Sequence, residues 1–428
     1  MSNRRVLVVG TTADYIDIIC RRFPGRAAFL TDTRERAKAT ETPPDETAEL
    51  QCDLADVQTC LVALRKHLDR WGIEASGIAC FDCESLALAA HVARSLALPY
   101  ALPEAVAVCR SKFASKQAWQ RAGLPCPDVE AVRTVADAAG FLERIKSPAV
   151  LKPLTGSGSE LTFLVRNRDD CSKAFHTLKS RLAQHPDVRM YSSGAGEDHE
   201  FDPRLVFVAE EYIPGTEYSC DFLLDGDRVE IVRIAKKIPA SGQTFGTILA
   251  YVLPAELPPG FEPGDFRSQL HEAARALGLQ RAICMLDFIV QGSRAVMLEM
   301  TPRPGGDCLP PLILRSCGLD MLGCALDFAE GRPVTVPQSS RWRRLVGVRL
   351  FATRPGVIRR LDLSSLSADR RVVECHLKRA PGHRVVLPPE DYDSRLLGHV
   401  IFEASDPADV ETECVQVSAK LLVEMETS

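Results

Sequence analysis

Two carboxylates, Asp287 and Glu299, stand on the apolar runs Leu286 to Val290 and Ala295 to Met300, which flank Gln291-Gly292-Ser293-Arg294. Apolar runs on either side of a Gly-containing turn read as a β-hairpin. With a three-residue loop, Gly292 to Arg294, Gln291 faces Ala295 and Asp287 lies opposite Glu299 on one face. A two-residue loop shifts the register by one and separates the acids, because side chains alternate between faces. Paired acids repel unless a cation lies between them. A hard divalent ion that prefers oxygen ligands, Mg²⁺ or Mn²⁺, meets that need. The alternative is a solvated hairpin carrying two surface acids. Immediately downstream, Pro302-Arg303-Pro304-Gly305-Gly306-Asp307 adds a guanidinium and a turn where backbone can approach a ligand closely.

Three further stretches could act on the same chemistry. Pro153-Leu154-Thr155-Gly156-Ser157-Gly158-Ser159 joins two strand-like runs and can turn N–H groups and hydroxyls toward an anion such as phosphate. An ordinary loop is the plainer reading. It is not a P-loop, because the Gly-Lys-Ser/Thr ending is absent and a strand follows. Lys152 ends the preceding strand, where its ammonium reaches the same anion. Further on, Glu210 and Glu211 end a strand, Pro214-Gly215 turns the chain, and Glu217 opens the next strand.

The order of these motifs resembles the ATP-grasp superfamily over about residues 1–335. The resemblance implies ATP as cofactor with Mg²⁺ or Mn²⁺, the metal held by Asp287 and Glu299. It implies that Glu210, Glu211 and Ile213 frame the adenine and that Glu217 takes the ribose hydroxyls. Lys152 and Lys112 would contact phosphate, with Lys116, one helical turn later, as the rival to Lys112. Gly156, Ser157, Gly158 and Ser159 would form the lid. Arg303 matches the arginine that stabilises an oxyanion, where losing one donor costs about 3 kcal/mol; an ion pair with Asp287 or Glu299 is the other reading. Two positions depart from the family pattern. Thr301 stands where Asn is usual, a shorter neutral oxygen ligand, and Glu160 follows the glycine loop, where it repels a triphosphate unless it points away.

Pro302 to Asp307 looks most like the L-amino acid ligase branch, which joins a carboxylate to an amine through an acyl phosphate and releases ADP and phosphate. Gly305 and Gly306 would approach substrate, and Asp307 would accept from an ammonium or cap the helix beginning near Leu309. Lys237, with Lys236 and Arg233 on the same strand, would pair with a substrate carboxylate or form a solvated face. The alternatives are a biotin-carboxylase-like or purine-pathway ATP-grasp enzyme, and a nucleotide-binding protein without turnover. A biotin carboxylase continues Gln-Val-Glu-His after the matching arginine, where this chain has Pro-Gly-Gly.

The elements that must position these groups follow from periodicity. Alternating strand and helix signals over residues 1–100 predict a parallel sheet under helices. A helix over Ser111 to Gly123 stops at Gly123-Leu124-Pro125. A second α/β unit follows: a strand near Asp128 to Val132, a helix over Val135 to Ile145, and strands at Ala149 to Lys152 and Leu161 to Val165. The polar stretch Ala183 to Pro203 is a candidate mobile loop. Leu205 to Met300 reads as antiparallel strands interrupted by a helix over Phe266 to Leu277, and the tail as short strands with a closing helix near Asp409 to Met425. The expected fold is mixed α/β and α+β. Its expected parts are a Rossmann-like pre-ATP-grasp domain (1–105), an N-terminal lobe with the glycine loop (106–208), a C-terminal lobe with the metal site (209–338) and a small α+β subdomain (339–428).

At 428 residues the chain exceeds a single ordinary core. A net charge of −5 argues against a nucleic-acid partner, and no apolar run reaches membrane-spanning length. Without a signal-like segment, a cytoplasmic enzyme is expected. Its partners would be small-molecule carboxylate and amine substrates, with a homodimer admissible. The 15 cysteines are odd in number and scattered through apolar contexts, which suits reduced thiols. Cys80-Phe81-Asp82-Cys83 lacks the second pair that a structural zinc needs.

Overall fold

Val6 to Val9 are buried on both faces, as a strand inside a covered parallel sheet must be. In the computed structural model, which describes residues 3–191, 201–406 and 409–426, this strand (Arg4–Val9) is central. It lies between Ala27–Asp32 and Glu74–Ala79, with Glu49–Cys52 at the edge, all parallel. Ala27–Asp32 and Glu49–Cys52 were not singled out by periodicity. The first is buried throughout and the second spans four residues, so neither shows a repeat.

A second four-stranded sheet, antiparallel, runs Val129–Val132, Phe207–Glu211, Ala149–Pro153, Phe163–Val165. The helix Val135–Ile145 matches expectation; Thr134 and Asp137 close it with a capping box. The helix Arg168–Ala183 beside it was not anticipated. Within the polar stretch expected to be a mobile loop, Val188–Tyr191 form a helical turn that buries Met190 and Tyr191. Residues 192–200 of that stretch lie outside the described residues.

The largest sheet has eight strands and carries the hairpin at its edge: Arg294–Thr301, Arg281–Gln291, Glu217–Asp225, Arg228–Pro239, Ile248–Leu253, Leu345–Phe351, Leu396–Phe402, Val372–Leu377. Its ladder continues across the Ile248–Leu253 and Leu345–Phe351 pair, with Ala250 opposite Val348. Strands from residues 209–338 and 339–428 therefore share one hydrogen-bonded surface. The closing helix is shorter than expected. It spans Val410–Ser418, and Leu422–Met425 instead pair with Gly356–Asp362, whose edge offers free ladder groups.

One buried cluster runs from Leu7 and Val9 through Trp119 to Phe222 and Phe288, so the first sheet and the large sheet share a core. Trp119 satisfies its indole N–H on the carbonyl of Ala273, at 3.1 Å, which locks the helix Lys112–Arg121 to the helix Pro263–Ala276. No helix among the described residues is long and apolar enough to cross a membrane.

Candidate active site

Asp287 does lie opposite Glu299, but by a route other than the one expected. Gln291 pairs with Arg294, so the turn has two residues, Gly292 and Ser293, and the uncorrected register would place Asp287 opposite Leu298. A β-bulge between Asp287 and Phe288 resets the ladder: Phe288 faces Met297, whereas Asp287 faces Glu299. The extra residue is Leu298, and its carbonyl accepts a hydrogen bond from Lys116 Nζ. Met297 N donates to Pro125 O at 2.8 Å, a second tie between this strand and the segment after the helix Lys112–Arg121.

That helix begins where Ser111 caps it, accepting from Ala114 N at 3.1 Å. Lys112 therefore stands at its first position, with its own N–H on Leu154 O at 2.9 Å and Nζ on Gly156 O at 2.8 Å. Its ammonium also lies 3.6 Å from Glu299. Lys112 thus bridges the glycine loop and the hairpin. Lys116, 0 % exposed, takes a different position, with Nζ 2.8 Å from one oxygen of Glu210 while Lys152 Nζ lies 2.7 Å from the other. Burial pushes Lys116 down to about 8 against the pull of Glu210, with Lys152 pushing the same way as burial. Burial opposes ionisation of Glu210 too, yet the two lysines hold it below the ordinary carboxylate range.

On the opposite wall the ratio is reversed. Lys237 Nζ lies 2.6 Å from Glu217 and 2.6 Å from Asp287. Burial works against its charge, but the two acids raise its pKa above the ordinary lysine value. Lys237 was expected on a substrate carboxylate. The structure places it among the candidate ribose and metal acids, because Glu217 and Asp287 sit on strands that its own strand joins through Glu217–Asp225. Glu299 resists desolvation and is held low by Lys112, Lys152, Lys116 and Lys237 in that order. Asp287 Oδ1 is buried without a hydrogen-bond partner. An orphaned carboxylate oxygen and a facing acid fit a hard cation. The protein supplies few ligands, since no cluster of three or more His, Cys, Asp or Glu side chains among the described residues is arranged for a metal.

The glycine loop adopts the left-handed conformations that its composition allows, at Gly156 (φ 127°), Gly158 (φ 65°) and Ser159 (φ 60°). Glu160 turns away from it, accepting from Tyr191 Oη at 2.8 Å and lying 3.2 Å from His185 Nε2. The connector leaves the second sheet at Glu211, whose N–H donates to Asp128 O (2.9 Å), and Tyr212 N donates to Pro148 O (3.0 Å). Ile213 follows, half-buried, and Gly215 turns the chain at φ 142°.

Arg303 does not pair with either hairpin acid. Its Nε donates to Cys83 Sγ at 3.0 Å and its Nη1 to Pro304 O at 2.8 Å. Cys83 belongs to the Cys80–Cys83 segment, which follows the strand Glu74–Ala79, so the first sheet reaches Arg303 through that loop. The neighbouring Glu84 is lifted to about 7 by burial and by Asp82. Gly305 is constrained by protein rather than by free space. A Cβ there would lie 2.6 Å from Arg233 Nη2, and its N–H donates to Asp221 Oδ1 at 3.0 Å. Arg233 and Asp221 form a fully buried pair (2.9 and 3.0 Å), which no local pattern announced. Gly306 has room, its nearest such contact being Arg303 Nη1 at 3.7 Å. Asp307 does not cap the following helix. It adopts φ 61°, Cys308 takes the cap position without a side-chain bond, and Asp307 pairs with Arg349 at 2.6 Å. Arg349 lies 42 residues downstream of Asp307, and nothing local signals it.

Residues 145–311 match the ATP-grasp domain family, and residues 349–426 match the L-amino acid ligase C-terminal domain 2. The chain carries an ATP-grasp domain. A D-alanine–D-alanine ligase of Paracidovorax citrulli (strain AAC00-1) is 27% identical over 258 residues, covering 55% of this chain and 70% of that protein. Human carnosine synthase 1 is 25% identical over 71% of this chain, which spans 36% of that longer protein. In fold, the chain is similar to the crystal structure of an L-amino acid ligase from Bacillus licheniformis, with a TM-score of 0.75, 18% identity and 99% of each chain covered.

Proposed function

We propose that this chain phosphorylates the carboxylate of an amino acid and joins the resulting acyl phosphate to an amine. The observation that carries the reading is the in-register pair Asp287–Glu299 facing the lysines of the glycine-loop lobe across one cleft. In the first step a carboxylate oxygen bonds to the γ-phosphorus of ATP and the bond to the bridging oxygen breaks, releasing ADP. In the second, the amine nitrogen attacks the acyl carbon, the carbon–oxygen bond to phosphate breaks, and the amine gives up a proton.

Each wall has a distinct part in this proposal. Lys112 and Lys152 hold the phosphates, and Gly156 to Ser159 close over them with backbone N–H groups and hydroxyls. Glu210, Glu211 and Ile213 line the adenine side, with the Glu210 carboxylate acting as counter-ion to Lys116 and Lys152. Glu217 takes the ribose. Asp287 and Glu299 hold Mg²⁺ or Mn²⁺, which when bound neutralises the phosphoryl group in transfer. Arg303, steadied by Cys83, stabilises the oxyanion of the tetrahedral intermediate. Gly306 borders the substrate, while Gly305 and Asp307 shape the same turn through Asp221 and Arg349. The four segments 1–105, 106–208, 209–338 and 339–428 divide these tasks.

The test is an amino-acid matrix with Mg-ATP, read by ADP and phosphate release and by product mass. Release should depend on an amino acid, with a product equal to the two substrates less one water. ATP binding without release across the whole matrix would overturn the proposal.

A further inference from the structure

The carboxylate that follows the glycine loop is bonded into the lobe behind it. Glu160 Oε2 accepts from Tyr191 Oη at 2.8 Å, and its Oε1 lies 3.2 Å from His185 Nε2. Asp187 N donates to His185 Nδ1 at 3.1 Å, so the other ring nitrogen carries the proton and donates to Glu160. Burial, then the Glu160 charge, holds the Tyr191 hydroxyl protonated, which keeps it a donor. The two rings meet edge to face with centroids 4.5 Å apart.

The segment that supplies these donors is itself fixed. One guanidinium, Arg204, donates to the carbonyls of Leu182, Ala183, His185 and Tyr191 at 3.0 to 3.3 Å. Thr155 Oγ1, at the start of the glycine loop, donates to Met190 O at 2.8 Å. Tyr191 is buried and shares one apolar cluster with Leu161. The tyrosine also backs the loop, since a Cβ on Gly156 would lie 3.1 Å from its Oη. Ser159 and Leu161 flank Glu160 at φ 60° and 51°. A residue with a Cβ adopts that left-handed backbone only where its surroundings fix it. Glu160 thus ties a strained loop to a rigid support at a point between its two left-handed residues.

We infer that Glu160 is a positioning residue for the nucleotide. Anchored by Tyr191 and His185, it fixes the glycine loop with its N–H groups toward the phosphates and keeps its own charge away from them. The inference rests on the ATP-binding part of the ligase reading. A loop without this anchor would have to be ordered by the nucleotide itself, and that ordering weakens binding.

The test compares ATP affinity, by titration calorimetry with Mg²⁺, and hydrogen exchange of residues 156–161 without nucleotide. Glu160→Ala and Tyr191→Phe should each weaken ATP binding about tenfold and speed exchange in the loop. Tyr191→Phe keeps the ring and loses only the hydroxyl, so its effect should vanish in the Glu160→Ala background. Glu160→Gln, which still accepts a hydrogen bond, should recover part of the affinity. Where ADP is released, the KM of ATP should follow its Kd while the KM of the amino acid holds. Tighter ATP binding in Glu160→Ala would overturn the inference, since the carboxylate would then act only by repelling phosphate. Additive losses in the double variant, or unchanged exchange in the loop, would overturn it too. The expected affinities without ADP release from any amino-acid pair would overturn the ligase reading and leave the positioning role standing. No ATP binding by the unmodified protein would remove both. If Tyr191→Phe does not fold, the sign of the change in Glu160→Ala decides.

Discussion

Lys116 and Lys237 are the same residue type on opposite walls of one cleft, and their pKa values move in opposite directions. Lys116 shares a single carboxylate with Lys152 and is pushed down to about 8; Lys237 sits between two carboxylates and is pushed up. Both are buried, so desolvation works against both charges. The local ratio of acids to bases decides the sign. One wall has cations in excess and suits phosphate; the other has acids in excess and suits a divalent ion.

The contrast is broken most directly at the acid-rich wall. Asp287→Asn or Glu299→Gln should lower kcat for ADP release by about a thousandfold or more, with circular dichroism unchanged. Full activity in either variant would dissolve the distinction between the walls. At the cation-rich wall the main loss should be in stability. Glu210→Gln leaves two buried ammoniums sharing no counter-ion and should cost about 3–5 kcal/mol in urea unfolding. A loss of activity with unchanged stability would make Glu210 a ligand contact instead of a clamp. Glu217→Ala should raise the KM of ATP roughly tenfold and spare that of the carboxylate substrate.

A pH series sharpens the same contrast with the smallest effect. The folded state favours neutral Lys116, so between about 8 and the ordinary 10.5 the unfolded chain binds more protons and stability rises with pH. Lys237 is raised, so its contribution is intact below 10.5 and is lost only as pH climbs above that value. Lys116→Met should flatten the rising limb, and Lys237→Met the falling one. Identical effects from the two substitutions would contradict the opposite shifts.

Much of the site was legible because its pieces are local. The helix Val135–Ile145 has its capping residues adjacent, and the glycine loop has the residues that left-handed backbone requires. Less was legible where partners are distant. Besides the oxyanion role that the resemblance implies for Arg303, the local alternative was an ion pair with a hairpin acid; its Nε instead donates to Cys83, 220 residues upstream. Asp307 was read as an acceptor for a substrate ammonium or as a helix cap; its partner Arg349 comes from the distant strand Leu345–Phe351. Lys237 was read for a substrate because its strand neighbours could not be inferred from its own segment.

The hairpin shows the division most closely. Its apolar runs, its turn and its two acids are properties of 15 consecutive residues, 285–299, and the sequence by itself determined that a hairpin forms there with acids to present. Whether those acids meet depended on a bulge at Leu298 whose carbonyl is held by Lys116, 182 residues earlier. A two-residue turn alone would have kept Asp287 and Glu299 apart. Only the tertiary structure could decide this, because a one-residue register shift is stabilised by a buried partner from another lobe and leaves no trace in local periodicity.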